Sequence, residues 1–153
     1  MKVEVINPFL ESVANVLSTM AMLESTPGKP SLKNDDIAKG DVSGIIGMSG
    51  ANVAGSMAIS FPKNVACEIV KRMLGDELDE INDTITDLVG EVTNMVAGGA
   101  KNQLMENGYD IGMASPVVVT GEGHSITHKA AGKRILLPFT TEVGEFFVEV
   151  CLE

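Results

Sequence analysis

Glu91 and Asn94 are the residues of this sequence whose types and spacing best suit chemistry. They lie in a segment whose apolar residues recur at helical spacing, and residues three apart on a helix share a face. The buried stripe predicted for this helix consists of Ile85, Leu88, Val89, Val92, Met95, Val96 and Leu104. Glu91 and Asn94 fall on the opposite face, where polar residues are usually just solvated. An exposed carboxylate and carboxamide side by side are nevertheless suited to docking against the active site of another protein.

The same segment contains three glycines. Gly90 and Gly98 each lie four residues from Asn94, and Gly99 follows directly. Glycine inside a helix costs about 0.5–1 kcal/mol relative to alanine, so some gain must offset that cost. We interpret one or more of these glycines as admitting close helix packing, and the two that flank Asn94 as leaving its amide clear of neighbouring side chains.

Motifs along nearly the whole chain resemble those of one family. The run Gly90-Glu91-Val92-Thr93-Asn94-Met95-Val96-Ala97-Gly98 is similar to the signature helix of the CheX family, within the CheC/CheX/FliY group of response-regulator phosphatases. Further matches, in the same order, are Asn7-Pro8-Phe9, Ile46-Gly47-Met48-Ser49-Gly50, Gly55-Ser56-Met57 and Pro116-Val117-Val118-Val119-Thr120-Gly121 with the closing hairpin. An isolated Glu-x-x-Asn is a weak signal, but within G-E-x-x-N-M-x-A-G, and with these companions, it is specific.

The resemblance implies a protein phosphatase that dephosphorylates a phospho-aspartyl CheY-like response regulator in chemotaxis or other two-component signalling. It implies that Asn94 positions the attacking water and that Glu91 pairs with a lysine of the docked regulator. It also implies a homodimer with no cofactor of its own, because the phosphoaspartate and its Mg²⁺ belong to the regulator. Phosphoryl transfer needs an in-line nucleophile and charge stabilisation more than covalent help, and an amide orients water without becoming charged.

Two other functions are compatible with the same residues. A non-catalytic CheC-like adaptor would dock a response regulator or a flagellar switch component, but such an adaptor need not keep both Glu91 and Asn94. An unrelated α+β domain with solvated Glu91 and Asn94 would not explain the full-length resemblance. CheC-type members carry Glu-x-x-Asn in both halves, whereas here Glu11 and Asn15 are four apart, so we interpret the first half as structural, the one-site CheX pattern.

Other candidate sites are weaker. His124 and His128 lie four apart, but no cysteine or paired acid accompanies them in the sequence, so a metal site is not predicted. Cys67 and Cys151 are distant from each other and lie in apolar company, which predicts reduced core thiols. The run Gly121-Glu122-Gly123 is too short for a phosphate-binding loop and predicts a turn.

Size and charge restrict the class of protein. The 153 residues, with 44% apolar content, predict a single folded domain spanning 1–153. A formal net charge of -10 disfavours binding to nucleic acid and to an anionic membrane surface. The beginning of the sequence lacks a signal-peptide pattern, and no apolar run approaches the roughly 18 residues of a membrane helix, so we expect a cytoplasmic protein.

Helices alternate with hairpins along the chain. Helices are predicted to begin at Asn7-Pro8, to run from Pro62 to Gly75, and to run roughly from Thr84 to Glu106, with a Thr84–Asp87 capping box and Asn107-Gly108 at the end. Strands are predicted at 57–61 and 116–120, more weakly through Ile126, and in a hairpin of 134–139 with 145–152, whereas 25–36 is predicted to be a loop. The pattern predicts a two-layer α+β fold with helices on a mainly antiparallel sheet, and the resemblance implies that it is CheC-like.

A weak internal repeat relates the two halves. Aligning Gly55 with Gly144 matches Met57, Ile59 and Phe61 to Phe146, Val148 and Val150. Any two hairpins can match this well by chance, so the alignment predicts a duplication only together with the long helix that precedes each hairpin.

Overall fold

The computed structural model describes residues 3–51, 54–128 and 132–152. These residues form three helices, α1 (Val3–Ala21), α2 (Lys63–Leu74) and α3 (Asp83–Glu106). The strands are β1 (Thr26–Pro27), β2 (Ser31–Leu32), β3 (Val42–Gly50), β4 (Ala54–Phe61), β5 (Ile111–Met113), β6 (Val117–Thr120), β7 (Arg134–Thr141) and β8 (Gly144–Leu152). None of the helices in these ranges has the length and hydropathy needed to cross a membrane.

The strands form one antiparallel sheet in the order β1-β7-β8-β4-β3-β5, with β2 also paired to β7 and β6 also paired to β3. Side chains alternate between the two faces of a strand. Met57, Ile59 and Phe61 of β4 join the core formed with all three helices, whereas Ala58 packs on the other face with Ile126. Helices packed on an antiparallel sheet confirm the predicted α+β fold.

The internal repeat has a structural counterpart. The alignment equates Ile59 with Val148, and these two residues are partners in the β4–β8 pairing at the centre of the sheet. The alignment also equates Phe61, two residues after Ile59, with Val150. In the sheet, Val150 pairs with Met57, two residues before Ile59. This register is the one that a two-fold rotation about the Ile59–Val148 pair would produce. The hairpins β3–β4 and β7–β8 are therefore arranged as the duplication predicts.

The predicted start of α1 and the predicted cap of α3 are wrong. Helix α1 begins at Val3, so Asn7 is not its N-cap and Pro8 lies inside the helix. Proline removes one backbone hydrogen bond there, but Val5 and Ile6 are buried, and their burial favours the extra turn. Helix α3 begins one residue earlier than predicted, and its cap is Asn82, whose side-chain oxygen accepts from the Ile85 N–H at 3.2 Å. That bond takes the place of the predicted capping box.

The remaining element predictions have mixed outcomes. Pro62 and Gly75 bound α2 as predicted, with Gly75 in the left-handed region at φ 79°. The closing hairpin and the strand 117–120 are confirmed. The predicted loop at 25–36 contains β1 and β2, and the weak strand through Ile126 is reduced to a single bridge between Ser125 and Ile37. The short strand β5 was not predicted.

Candidate active site on the long helix

The rotation of α3 about its axis decides which side chains meet solvent. Its fully buried residues are Ile85, Val89, Val92, Thr93, Val96, Ala97, Ala100 and Leu104. Leu88 and Met95, which were predicted to be buried, are half-buried at the edge of this face. Glu91 and Asn94 are exposed, as predicted, and Gly90 is half-buried.

The side chains of Glu91 and Asn94 are available to a partner. Within the part of the chain that the structure describes, neither forms a hydrogen bond or an ion pair. Asp87, one turn before Glu91, and Gly98, one turn after Asn94, are also exposed. We call Asp87, Glu91, Asn94 and Gly98 the outer strip of α3. It offers two carboxylates and one carboxamide with no competing internal contacts.

The inner side of α3 is fixed against the sheet by Thr93. The Thr93 hydroxyl donates to the Val89 carbonyl at 2.7 Å, and the side chain is completely buried. It packs on Gly44 of β3 so closely that a methyl group at Gly44 would overlap the Thr93 hydroxyl. Because Thr93 directly precedes Asn94, this contact sets both the height and the rotation of the outer strip above the sheet.

Helix α1 holds α3 from the side. The Ser12 hydroxyl, which is buried, donates to the Val96 carbonyl at 2.7 Å. A Cβ atom on Gly99 would lie 2.5 Å from the Ser12 oxygen, so glycine at this position admits the contact. The interpretation that one of the helix glycines allows close helix packing is therefore confirmed for Gly99.

The other two helix glycines have no such packing role. A Cβ atom on Gly90 would lie 3.4 Å from a methyl carbon of Val118, which is an ordinary van der Waals contact. A Cβ atom on Gly98 would meet no atom within 4 Å. Alanine therefore fits both positions without displacing any described neighbour.

Acidic residues surround the beginning of α3. In the linker before it, Glu77 and Glu80 form exposed ion pairs with Lys71 and Lys63 of α2, at 3.6 and 3.4 Å. Asp83 and Asp87 are exposed on α3 itself, and neither side chain is paired within the described ranges. Together with Glu91 they give this side of the molecule a negative field that attracts a basic partner surface.

The first helix is arranged differently. Glu11 accepts a hydrogen bond from the Gln103 side chain of α3 at 2.8 Å. Asn15 accepts from the Thr19 hydroxyl at 3.5 Å within α1. Both residues are exposed, but their side chains take part in contacts within the protein, unlike those of Glu91 and Asn94.

The two histidines belong to a polar layer on the face of the sheet away from the core. His124 Nε2 lies 2.7 Å from the Ser43 hydroxyl. His128 lies between Ser56 and Glu149, with its Nε2 atom 3.0 Å from the Glu149 carboxylate. The expectation that no acid accompanies the histidines is therefore wrong for His128. Glu149 lies in β8, far away in sequence, and only the folded sheet brings it to His128.

Glu149 also forms a buried ion pair. Its carboxylate lies 2.6 Å from the Lys33 ammonium group, and both side chains are only 2% exposed. Neither Lys33 nor Glu149 was among the predicted functional residues. The available signal was that Glu149 interrupts the apolar residues of β8. No group of three or more His, Cys, Asp or Glu residues suited to a metal ion occurs in the described ranges.

Other predicted features are turns and thiols. Gly121 and Gly123 both have positive φ, at 121° and 67°, which confirms a turn. Cys151 is buried as predicted, whereas Cys67 is only half-buried, and this burial raises the pKa of its thiol.

A groove of about 770 Å³ lies away from the outer strip. Residues of β3 and β4, the 112–117 segment and Thr127 line it, and none of its lining residues comes from α3. The Glu91–Asn94 pair therefore lies on an exposed helix and outside this groove, an arrangement suited to another protein.

Comparison with known proteins identifies the family. The family described as "Chemotaxis phosphatase CheX" matches residues 42–140. The chain belongs to the CheX family of chemotaxis phosphatases. The family predicted from the G-E-x-x-N segment is thereby confirmed, together with the class of enzyme, a hydrolase.

Relatives of the CheX family match nearly the full length. A CheC-like superfamily protein from Shewanella sp. PV-4 is 52% identical, with a TM-score of 0.93 over 100% of this chain and 99% of that chain. The CheY-P phosphatase CheX of Thermotoga maritima is 27% identical over 148 residues, covering 96% of this chain and 94% of that protein. A CheX–CheY–BeF3–Mg²⁺ complex from Borrelia burgdorferi contains a chain that is 26% identical, with a TM-score of 0.82 and 99% of both chains covered.

Proposed function

We propose that this protein dephosphorylates a phospho-aspartyl CheY-like response regulator in chemotaxis or another two-component system. Asn94 positions the attacking water, and Glu91 pairs with a lysine of the docked regulator. The observation that carries the proposal is that Glu91 and Asn94 are both exposed on a helix that is packed against the sheet, and that neither side chain has a partner within the described structure. Side chains left without internal contacts on a rigid element are suited to complete the active site of a partner.

The role of Asn94 follows from the chemistry of its amide. The group accepts one hydrogen bond from water and donates another towards a phosphoryl oxygen, and it stays neutral throughout. Phosphoryl transfer depends chiefly on alignment of the nucleophile and on charge stabilisation. The contact of Thr93 with Gly44 and the hydrogen bond from Ser12 hold α3 on two sides, so the Asn94 backbone cannot shift easily when the regulator docks.

Glu91 contributes to recognition. Its carboxylate lies one turn before Asn94 on the same face and is exposed. A lysine of the regulator that pairs with Glu91 would fix the register of docking, so that Asn94 faces the phosphoaspartate. Charge pairs at an interface act mainly in this way, through orientation and the rate of encounter.

The metal belongs to the regulator in this proposal. The related Borrelia CheX is found in a complex with CheY, BeF3 and Mg²⁺. BeF3 bound to a carboxylate has the tetrahedral shape of a phosphoryl group, and in such a complex it stands for the phosphate on aspartate. By analogy, the phosphoaspartate and its Mg²⁺ would come with the regulator, and this chain would need no cofactor of its own.

The proposal includes one site in each chain. Glu11 and Asn15 have the wrong spacing, and Glu11 is engaged by Gln103, so the first half serves a structural role. We further propose that the whole chain acts as one domain and as a cytoplasmic homodimer. The two outer sides of the sheet, with short strands β1 and β2 at one and β5 and β6 at the other, are the surfaces for edge-to-edge pairing.

The test is the decay of a phosphorylated CheY-like regulator in the presence of Mg²⁺, with and without this protein. Accelerated release of phosphate supports the phosphatase. Tight binding to the BeF3-loaded regulator without any acceleration would instead support a non-catalytic adaptor.

A further inference from the structure

Gly98 is a glycine that the described part of the structure does not require. Its φ is not in the left-handed region, and a Cβ atom at this position would meet no atom within 4 Å. Gly99 differs, because a Cβ atom there would collide with the Ser12 hydroxyl. Neither conformation nor packing among the described residues explains the absence of a side chain at position 98.

The choice of glycine is unfavourable for the helix. Gly98 lies well inside the 24-residue helix α3, where glycine has the lowest propensity of any residue except proline. Alanine would fit and would stabilise the helix. A glycine kept at a cost to stability, with no gain among the described residues, indicates a requirement imposed by a partner.

The geometry of a helix shows which neighbour a side chain at position 98 would affect. Side chains on an α-helix tilt towards its N-terminus, so each covers the turn that precedes its own Cα atom. A side chain at position 98 would therefore cover the surface around Asn94. Gly90 precedes Asn94, and a side chain there would tilt away from it.

We propose that Gly98, by having no side chain, leaves the space above Asn94 open to the phosphorylated regulator. This inference rests on the proposed function and extends it. The Asn94 amide is short, and it reaches a water beside the phosphoaspartate only if the regulator's loops approach the α3 backbone closely. Glycine one turn after Asn94 permits that approach, and any larger residue holds the regulator away.

The experiment compares Gly98→Ala and Gly98→Gln with wild type. Both substitutions should raise the melting temperature, by about 1–4 °C for alanine, because they remove an unfavourable helix residue. Both should lower kcat/KM, by about tenfold or more for alanine and further for glutamine, since an added methyl group at a close-packed contact typically has this effect. Affinity for the regulator loaded with BeF3 and Mg²⁺ should fall in the same order.

Asn102→Ala is the matched control. Asn102 is exposed on α3 one turn beyond Gly98, and alanine is the better helix former there as well. This substitution should raise the melting temperature by a similar amount and leave kcat/KM unchanged. The comparison separates added volume above Asn94 from a simple stiffening of the helix.

The outcomes separate this inference from the function beneath it. If wild type accelerates phosphate release and Gly98→Ala is equally active, the proposal that Gly98 keeps the space above Asn94 open is wrong, while the proposed phosphatase activity is supported. If Gly98→Ala lowers kcat but binds the BeF3-loaded regulator as tightly as wild type, the added methyl group does not block docking, and lost helix flexibility explains the lower activity. A loss of activity in Asn102→Ala would lead to the same conclusion. A wild-type protein with no effect on decay overturns the proposed function and this inference with it.

Discussion

Thr93 and Gly44 are in direct contact, and this contact joins the α3 helix to the sheet immediately beneath Asn94. The Thr93 side chain is fully buried, and Gly44 lies on β3 with its missing side chain directed at it. Buried interiors are close-packed, so an added methyl group must displace one of the two elements. The position of the outer strip therefore depends on the absence of a side chain at Gly44 of β3.

The first prediction tests this contact. Gly44→Ala should lower the free energy of unfolding by about 1–3 kcal/mol, because overpacking forces the helix away from the sheet. Gly47→Ala is the control, since Gly47 lies on the same strand and a Cβ atom there would meet no atom of the described residues within 4 Å. Urea unfolding of both variants gives the comparison. Equal stability of the two variants would show that the Thr93–Gly44 contact does not constrain α3.

The second prediction concerns the buried Lys33–Glu149 pair. Lys33→Met should lower the free energy of unfolding by about 3–5 kcal/mol, because the Glu149 carboxylate would remain buried without its cation. Lys29→Met removes an exposed lysine nearby and should change stability little. The Lys33 variant should keep its phosphatase activity at temperatures where it is folded, since the pair lies on the other face of the sheet from α3. A loss below 1 kcal/mol in urea unfolding would argue against a structural role for this pair.

Salt dependence is the third prediction. If the acids of the outer strip attract a basic regulator surface, kcat/KM at low regulator concentration should fall as ionic strength rises, because salt screens exposed charges. Asp87→Asn should lower kcat/KM by about 1.5–5-fold at low salt, as expected for an exposed charge pair, and should weaken the salt dependence. Glu106→Gln removes an exposed acid at the far end of α3 and serves as the control. If the two variants behave alike, only the net charge matters and Asp87 has no particular role.

The fourth prediction separates recognition from chemistry at Glu91. Glu91→Ala should weaken binding to the BeF3-loaded regulator and lower turnover together, since it removes a charge pair that orients the partner. Glu91→Gln keeps the size of the side chain and should show most of the same loss. Binding measured by titration should follow the loss of kcat/KM. A variant that binds normally yet turns over slowly would assign Glu91 to the chemical step instead.

The sequence predicted well which side chains of α3 face solvent, because local helical periodicity determines this. Helical periodicity placed Glu91 and Asn94 outside and Val92 inside, and the structure agrees. Contacts between distant segments were not predictable in this way. Lys33 and Glu149 are 116 residues apart, and no local pattern indicates that they meet. The start of α1 was missed for a related reason, because the burial of Val5 and Ile6, a tertiary effect, outweighed the local capping signal at Asn7-Pro8.

The glycines of α3 show the same contrast between what the local sequence predicts and what depends on tertiary contacts. Their cost to the helix is evident from the sequence, but the reason for each depends on three-dimensional neighbours. Gly99 is explained by Ser12 of α1, whereas Gly98 has no neighbour at all among the described residues. Only the structure distinguishes a glycine needed for packing from one that we attribute to a partner.

The most direct test of the account is the turnover of Asn94→Ala. Asn94 is exposed and has no partner within the described structure, so the variant should unfold at nearly the same urea concentration as wild type. The catalysed rate of decay of the phosphorylated regulator, measured with Mg²⁺ present above the decay without this protein, should fall by about 10²–10³-fold. This is the usual effect of losing one positioned polar group in an active site. Binding to the BeF3-loaded regulator should persist, because docking depends on the wider surface. Full activity of Asn94→Ala would contradict water positioning by this residue.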